Sequence, residues 1–320
     1  MGKVVITPEE LSKSAAKYRR EILIMPVYAL GEFLKHASLR TGIRYSETVG
    51  ELSGSIELGP YNEDRLDNED VSIKARTLYT FLGSVVKRFS PNSVYQSIYG
   101  DRITKGEALK AVPISREICN FLAKKVGDGL YKHVWDAVRN DSGKDTVDLF
   151  NGFDTITKTE IEAGNIAAGK NNFLALSEEI NSTNAVEILK EIWRKADDHL
   201  KDNKCKLFVP SPVLNAYNDD YKATTGAIAY NTQFNQTFVE GSNNMCEIVA
   251  LSNKKDSDYI HLTTKQNMLV GVNQTGEEEQ VSIEKHSAFK LDFVMTAFYG
   301  VQFESISPER LFVAKMVKGA

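Results

Sequence analysis

The residues that could perform nucleophilic or acid–base chemistry are few and scattered along the chain. His199 and Cys205 are close in sequence, and they could act as a base and a nucleophile only if the fold brought the two side chains together. His133 is most simply a core histidine, because it lies near the apolar face of a predicted helix. Three acidic doublets are most simply solvated surface, with carboxylate dyads as the alternative: Glu178-Glu179, Asp197-Asp198 and Asp219-Asp220.

Motifs that bind phosphates, metals or acyl groups are missing from the sequence. It contains no G-x-G-x-x-G or GxxxxGK[ST] loop, no H-E-x-x-H helix and no paired cysteines at zinc-binding spacing. The G-x-S-x-G elbow of α/β-hydrolases is missing as well. We therefore predict that the protein is not an enzyme and that it has no catalytic residues, no cofactor-binding residues, no metal ligands and no cofactor.

The composition predicts a folded protein of one large or two modest domains. The 320 residues are 42% hydrophobic and 26% charged, with a formal net charge of −4 that argues against a general affinity for nucleic acid. No apolar run approaches the roughly 18 residues that a membrane span needs, so we predict no contact with a membrane. Cys119, Cys205 and Cys246 form no CxxC pair, which predicts reduced, buried thiols in a cytosolic setting.

The element around which the chain is organised is a predicted helix over Ser115–Arg139. Apolar residues recur in it at helical spacing, Phe121 among them, so that one face should be buried. Before it, Thr7–Leu39 carries a helix signature that Pro26 should break into two elements.

A long extended segment precedes this helix. Val71–Phe89 alternates apolar and polar residues as a strand does, and Ile43–Leu58 also reads as extended. The polar run Asn62–Asp70 lies between them and should form a solvated tip. Because a lone two-stranded ribbon is marginally stable in water, a projecting ribbon makes physical sense mainly if it lies on another molecule. The alternative is an ordinary hairpin that folds back on its own domain.

After the helix the chain reads as a compact, mixed α and β region. Asp148–Ile156 should lead into a strand or turn, residues 157–182 should be loop-rich, and Asn184–Lys201 should form a second amphipathic helix. Further elements are predicted as a strand, a short helix and then a β-rich end; they are Lys206–Val209, Pro212–Lys222, Cys246–Leu251, Tyr259–Thr263, Met268–Val272, Val281–Lys285, Phe289–Phe303 and Leu311–Met316.

This order of elements resembles the major capsid proteins of tailed bacteriophages with the Hong Kong 97-type fold. The matching segments are the ribbon Gly42–Phe89, its return Arg76–Gly100, the helix Ser115–Arg139, the segment Asp148–Ile156, the strand–helix step Leu207–Tyr217 and the closing block Met268–Val313. The resemblance implies an α+β fold with an N-terminal arm (1–41), an extended β-ribbon loop (42–89), a peripheral domain (90–147 plus 285–320) that contains the spine helix (115–139), and an axial domain (148–284).

The resemblance also implies a function and partners. The protein would be a structural subunit that self-assembles as hexamers and pentamers into an icosahedral phage head around double-stranded DNA. The virion would be assembled in the host bacterial cytoplasm, and the DNA would line the shell without sequence specificity. A separate scaffolding protein is expected because the N-terminus leaves no room for a large fused one; a portal and a maturation protease are expected too. The extended loop would lie across a neighbour, which makes its charged residues the candidates for inter-subunit contact: Glu63, Asp64, Arg65, Asp67, Lys74, Arg76 and Arg88.

Other functions fit the same sequence features. An encapsulin-like nanocompartment would use the same fold to enclose an enzyme, and a tail or adaptor protein would form a ring or tube. An α/β enzyme with a long lid hairpin would instead have a deep pocket with perturbed ionisable groups.

Overall fold

The computed structural model of the chain describes residues 18–53, 72–90, 114–225, 237–273, 281–287 and 290–317. The chain divides into two compact units, each made of three separate stretches. Unit 1 takes the chain up to Tyr45, Thr80–Gly152 and Val270–Val301; unit 2 takes Ser46–Tyr79, Phe153–Leu269 and the chain from Gln302 onward. The four-part division predicted from the sequence stays a prediction.

Both helices and strands run through the described residues. The helices are α1 (Arg19–Ala29), α2 (Gly31–Leu34), α3 (Ile114–Lys132), α4 (Phe153–Glu162), α5 (Ala185–Lys195), α6 (Asp198–Lys201) and α7 (Ser211–Thr225). The strands are β1 (Ser38–Thr41), β2 (Ser46–Ser53), β3 (Ser72–Tyr79), β4 (Phe81–Phe89), β5 (Phe173–Ala175), β6 (Cys205–Val209), β7 (Cys246–Ala250), β8 (Tyr259–Thr263), β9 (Met268–Asn273), β10 (Val281–Ser287), β11 (Lys290–Phe303) and β12 (Leu311–Lys315).

Unit 1 is built on a five-stranded sheet with helices packed on it. The strand order is β1-β9-β11-β10, and β4 also pairs with β11, antiparallel, from Phe81↔Tyr299 to Phe89↔Leu291. Residues of α1, α3, β10 and β11 share one core, whose members are Ile22, Leu23, Cys119, Ala123, Val281, Ile283, Leu291, Phe293 and Met295. Since successive side chains on β11 point to opposite faces, its alternating apolar residues can bury one face of the strand here.

The long helix is shorter than predicted, because α3 ends at Lys132 rather than Arg139. The backbone N–H groups of Val138 and Asn140 donate to carbonyl oxygens of the following loop, at Val147 and Asp148, instead of to the preceding helical turn. Val134 and Ala137 are nevertheless fully buried, which explains why the apolar periodicity continues past the end of the helix.

Two further predictions about these helices are wrong. Pro26 does not break its helix but lies inside α1, where it removes one backbone donor and is held by packing against α3. Phe121 is not part of the buried face of α3: it is 46% exposed, and the ammonium of Lys125 lies 5.7 Å from the centre of its ring. The buried face of α3 carries Cys119 and Ala123 instead.

The predicted strand over Val71–Phe89 is two strands that meet at Thr80. The Thr80 N–H donates to the carbonyl oxygen of Tyr45 and its hydroxyl donates to that of Ile43, so this buried polar residue is satisfied locally. On one side of it β3 pairs with β2, from Ser46↔Tyr79 to Ser53↔Ser72. On the other side β4 pairs with β11. The two-stranded ribbon is therefore confined, in the described residues, to β2 and β3.

Unit 2 contains a second five-stranded sheet, of order β5-β12-β8-β6-β7. The β5–β12 and β6–β7 pairs are parallel, and the β12–β8 and β8–β6 pairs are antiparallel. Its apolar side chains form a core with those of α5 and α7, and the largest include Trp193, Leu207, Tyr217, Ile260 and Phe312. The predicted strands of this part are confirmed to within one residue at each end.

Several predictions for unit 2 need correction. Asp148–Ile156 does not lead into a strand or turn: a helix, α4, starts at Phe153 and continues into the region predicted as loop-rich. The helix predicted over Asn184–Lys201 is interrupted at Ala196, which has an extended backbone (ψ 156°) and separates α5 from α6. The carboxylate of Asp197 then caps α6 by accepting from the N–H of His199.

The three cysteines are free and buried, as predicted. Burial raises the pKa of the Cys119 thiol to about 12 and that of Cys246 well above its ordinary value. Both side chains therefore remain neutral thiols that pack like small apolar groups.

Candidate inter-subunit contact site

Only part of the predicted contact set lies in the described residues. Glu63, Asp64, Arg65 and Asp67 fall outside them. Lys74 lies on β3, where its backbone is in register with Glu51 of β2. The remaining two candidates, Arg76 and Arg88, belong to different units and have different surroundings.

Arg76 is an internal anchor of unit 2. Its Nη2 lies 2.7 Å from Oε1 of Glu160 on α4 and 3.1 Å from Oε1 of Gln302, and its side chain is only 15% exposed. Gln302 in turn donates from Nε2 to the carbonyl oxygen of Thr77. The ion pair and the amide together fasten strand β3 to α4 and to the end of β11 within unit 2. Arg76 is therefore engaged within its own chain, and sequence reasoning could not see this because Glu160 is 84 residues away.

Arg88 lies on the surface of unit 1. Its Nε donates to Asp292 across the β4–β11 pair at 3.0 Å, and its Nη2 lies 3.1 Å from Nδ1 of His286. The hydrogen bond from Arg88 is the main cause that lowers the pKa of the Asp292 carboxyl. Half of the Arg88 side chain remains exposed, so the cluster presents a charged surface to solvent.

Exposed apolar side chains surround this charged cluster along β4. Leu82, Ser84, Val86 and Arg88 all lie on the exposed face of the strand, and Leu82 and Val86 are 42% and 62% exposed. Among the described strands β4 pairs with β11 alone. In the sequence, Leu82 and Val86 are apolar residues at positions where the alternating pattern calls for polar ones. The sequence reasoning missed this sign of an exposed apolar surface.

An open concavity of about 940 Å³ adjoins this surface within unit 1. Residues of α1, α3, β4 and β11 form its walls. The exposed side chains of Phe121 and Leu82 are part of its lining. Charged residues of both signs line it: the cations are Lys87, Lys125, Arg139 and Lys144, and the carboxylates are Asp141, Asp145 and Asp148. A concave surface that combines exposed apolar groups with charges of both signs suits contact with another protein segment.

The residues singled out for chemistry are not brought together. Cys205 is buried in β6 with its thiol 3.7 Å from the carbonyl oxygen of Met245, whereas His199 is exposed on α6. Of the acidic doublets, Asp220 is a structural residue: it is buried and accepts from the N–H of Val186 at the start of α5. His133 is not a core residue: its side chain is partly exposed, and its Nδ1 lies 3.1 Å from Oδ1 of the exposed Asp136.

Neither metal ligands nor membrane spans emerge from the part of the chain that the structure describes. No group of His, Cys, Asp and Glu side chains there is arranged to hold a metal ion. None of the helices in the same residues combines the length and hydrophobicity needed to cross a bilayer.

Comparison of the sequence with protein-family models and with curated proteins finds no match. Comparison of the structure with solved structures does find matches. One is the satellite phage P4 procapsid that includes the size determination (Sid) protein, with a TM-score of 0.59, 9% sequence identity, and coverage of 92% of this chain and 98% of that one. Another is the capsid of the native GTA particle, with a TM-score of 0.59, 14% identity, and coverage of 91% and 90%. The capsid of the empty GTA particle matches with a TM-score of 0.57, 15% identity, and the same coverage.

The chain has the Hong Kong 97-type capsid fold. The α+β fold class and the resemblance drawn from the sequence are thereby confirmed. The aligned region covers nearly the whole chain, so both units take part in the structural match. At identities of 9–15% the likeness establishes the fold alone.

Proposed function

We propose that this protein is the major capsid protein of a tailed phage, a structural subunit that assembles into an icosahedral shell. The observation that carries the proposal is the structural match, at TM-scores of 0.59 and over 91–92% of this chain, to chains of the P4 procapsid and of the GTA capsid. The subunits would form hexamers and pentamers in the virion, assembled in the host bacterial cytoplasm. The shell would enclose double-stranded DNA, with a separate scaffolding protein, a portal and a maturation protease as partners.

The surface of the subunit supports this proposal. β4 carries the exposed side chains of Leu82 and Val86, and the half-exposed Phe121 lines a concavity. Exposed apolar groups collected on one surface indicate a protein contact rather than a solvated face. The charged segment that contains Glu63, Asp64, Arg65 and Asp67 is proposed to contact a neighbouring subunit, and Lys74 and Arg88 are proposed to add to the same kind of contact.

The ribbon permits a sharp test of these contacts. Ser53 and Ser72 are directly paired at the end of β2 and β3, so residues 54–71 can be replaced by a two-residue Asn-Gly turn that closes the hairpin. Arg76 and its pair with Glu160 remain intact in this variant. We expect a folded subunit that forms no shells. A matched control keeps the loop length and replaces only Glu63, Asp64, Arg65 and Asp67 by Ser, which isolates the role of the charges.

The readouts are light scattering and negative-stain microscopy of the purified protein, alone and with a candidate scaffolding protein. Closed shells, or rings of five and six, support the proposal, and normal shells from the loop-shortened variant contradict the role given to the ribbon. A stable monomer or dimer of the native chain under both conditions contradicts the capsid function. Nucleic acid inside the shells separates a phage head from an encapsulin-like compartment, which would contain an enzyme.

A further inference from the structure

A lysine is completely buried inside unit 2. The Lys254 side chain has no exposed surface, and its Nζ lies 3.1 Å from Oδ1 of Asp154, a residue of α4. It also donates to Oγ of Ser257 at 2.9 Å, and Ser257 passes a hydrogen bond on to the carbonyl oxygen of Tyr259. Assembly of a shell does not by itself require a buried lysine. No matching family model or curated protein assigns a role to Lys254.

His261 forms the third side of this cluster, and its tautomer follows from its neighbours. The Thr157 hydroxyl donates to the carbonyl oxygen of Phe153 at 2.8 Å, so it accepts from the Nε2–H of His261 at 2.9 Å. Nδ1 of the ring is then an acceptor, and it lies 3.2 Å from Nζ of Lys254. A neutral imidazole acceptor thus faces a buried amine that touches a carboxyl group, which is the arrangement of a base, a nucleophile and an electrophile.

Burial favours the neutral forms of all three groups. Desolvation lowers the pKa of Lys254 to about 8, and it raises the pKa of Asp154 against the opposing charge of Lys254. Desolvation, with a smaller contribution from the charge of Lys254, lowers the pKa of His261 well below its ordinary value. The neutral pair, an amine and a carboxylic acid, holds the same number of protons as the ion pair, so a proton shift from Lys254 to Asp154 suffices to form it.

We propose that Lys254 and Asp154 join in an intrachain amide bond. The Nζ lone pair attacks Cγ of Asp154 to form the N–C bond, while Nδ1 of His261 takes a proton from Nζ. His261 then returns this proton to the departing hydroxyl group, the Cγ–O bond breaks, and water leaves. No oxidant or reductant takes part. The Asp154 side chain is 14% exposed, which gives the water a route out.

The bond would tie α4 to the segment that precedes β8. It would close a loop of the chain 100 residues long, and such a crosslink restricts the unfolded chain more than the folded one. The linked subunit should therefore resist denaturation better than an unlinked variant.

The mass of the intact, denatured full-length chain tests the proposal. We expect the chain to be lighter than its sequence by the mass of one water molecule, with a branched peptide that joins Lys254 to Asp154 after proteolysis. An unmodified mass in both unassembled subunits and assembled shells overturns the proposal, and the cluster is then a buried ion pair. This measurement uses the native sequence and does not depend on whether any variant folds.

Variants assign the bond to its residues. Lys254→Met should abolish the mass loss, whereas the matched control Lys255→Met, which changes an exposed neighbouring lysine, should keep it. Asp154→Asn should lose ammonia instead of water and give the same linked product. A mass loss that survives Lys254→Met assigns the chemistry to another residue and overturns the proposal.

The role of His261 is tested by rate. His261→Asn should slow formation of the linked chain by roughly 100-fold or more, the range expected for loss of a general acid–base group. Circular dichroism of the same sample establishes that the variant is folded. Linkage at the native rate in a folded His261→Asn chain would overturn the proton transfer through His261.

Discussion

Gly127 of α3 touches the backbone of Pro26 in α1, and the two helices meet at this point. A Cβ atom on Gly127 would lie 2.5 Å from the carbonyl oxygen of Pro26 and 2.7 Å from its Cα. Real Cβ atoms do not approach backbone so closely, so any side chain at position 127 must move one helix away from the other. The contact joins two residues that are unfavourable inside a helix, a glycine of α3 and a proline of α1.

Gly127→Ala should destabilise the subunit although alanine favours helices. The gain in helix propensity is about 1 kcal/mol, whereas an overpacked core contact typically costs about 1–3 kcal/mol and here involves backbone that cannot rotate away. Gly31→Ala is the matched control, because a Cβ there meets nothing within 4 Å. Denaturant unfolding of both variants measures the difference, and equal stabilities would show that α1 can move freely on α3.

Arg76 and Arg88 should respond differently to truncation. Arg76→Met leaves the largely buried carboxylate of Glu160 without its cation, and we expect a loss of about 1–3 kcal/mol in the free energy of unfolding. The double variant Arg76→Met/Glu160→Met should recover part of that loss, because replacing both partners by apolar groups removes the unpaired charge. Arg88→Met should change stability less, since half of its side chain is exposed. Chemical denaturation of the unassembled subunits separates the three cases, and equal losses from Arg76→Met and Arg88→Met would contradict the anchor role.

Phe121→Asp should leave the subunit folded and impair assembly. The side chain is half exposed, so the introduced carboxylate stays in water, but it disrupts the apolar surface that we propose for contact with a neighbour. Ala123→Asp, two residues further on the same helix, should unfold the subunit, because it buries an unpaired charge at a cost of several kcal/mol. Circular dichroism reports folding and negative-stain microscopy reports shells. Normal shells from Phe121→Asp would show that Phe121 is not part of the interface.

Acidification should destabilise unit 2 through His261. Its pKa is lowered in the folded state, so below its ordinary value of 6.5 the unfolded chain takes up a proton that the folded chain does not. The free energy of unfolding should then fall as the pH falls below about 6.5, by at most about 1.4 kcal/mol per pH unit from this residue. His261→Asn should flatten this part of the profile, measured by denaturant titrations between pH 7 and pH 5. An unchanged slope in the variant would assign the acid sensitivity to other groups.

The strands of the second half were predictable because their patterns are local. Phe289–Phe303 alternates cleanly in the sequence, and β11 follows it from Lys290 to the same end. The strand Tyr259–Thr263 has the predicted bounds, although it is buried on both faces and shows no alternation. Each of these segments carries its structural preference within a few residues.

The predictions were wrong where contacts between residues far apart in sequence determine the local structure. Pro26 lies within a helix because Gly127, some hundred residues later, accommodates it. The end of α3 at Lys132 depends on hydrogen bonds that Val138 and Asn140 make with the loop beyond. The periodicity of apolar residues records only that a residue is buried, and it cannot tell a helix from a turn that packs on the same core.

The candidate site was less predictable than the fold. The sequence showed charged residues on an extended segment, but it could not distinguish Arg76, which is bound inside its own chain, from Arg88, which faces solvent. The cluster of Lys254, Asp154 and His261 had no sequence signature, because its members come from three elements and share no spacing rule.

The interleaving of the two units along the chain has a consequence for synthesis on the ribosome. Unit 1 needs residues as late as Val301, and unit 2 includes the last strand, β12. A nascent chain can therefore complete neither unit before translation has reached Val301. We expect this order of the chain to delay association between subunits that are still being translated on the same message.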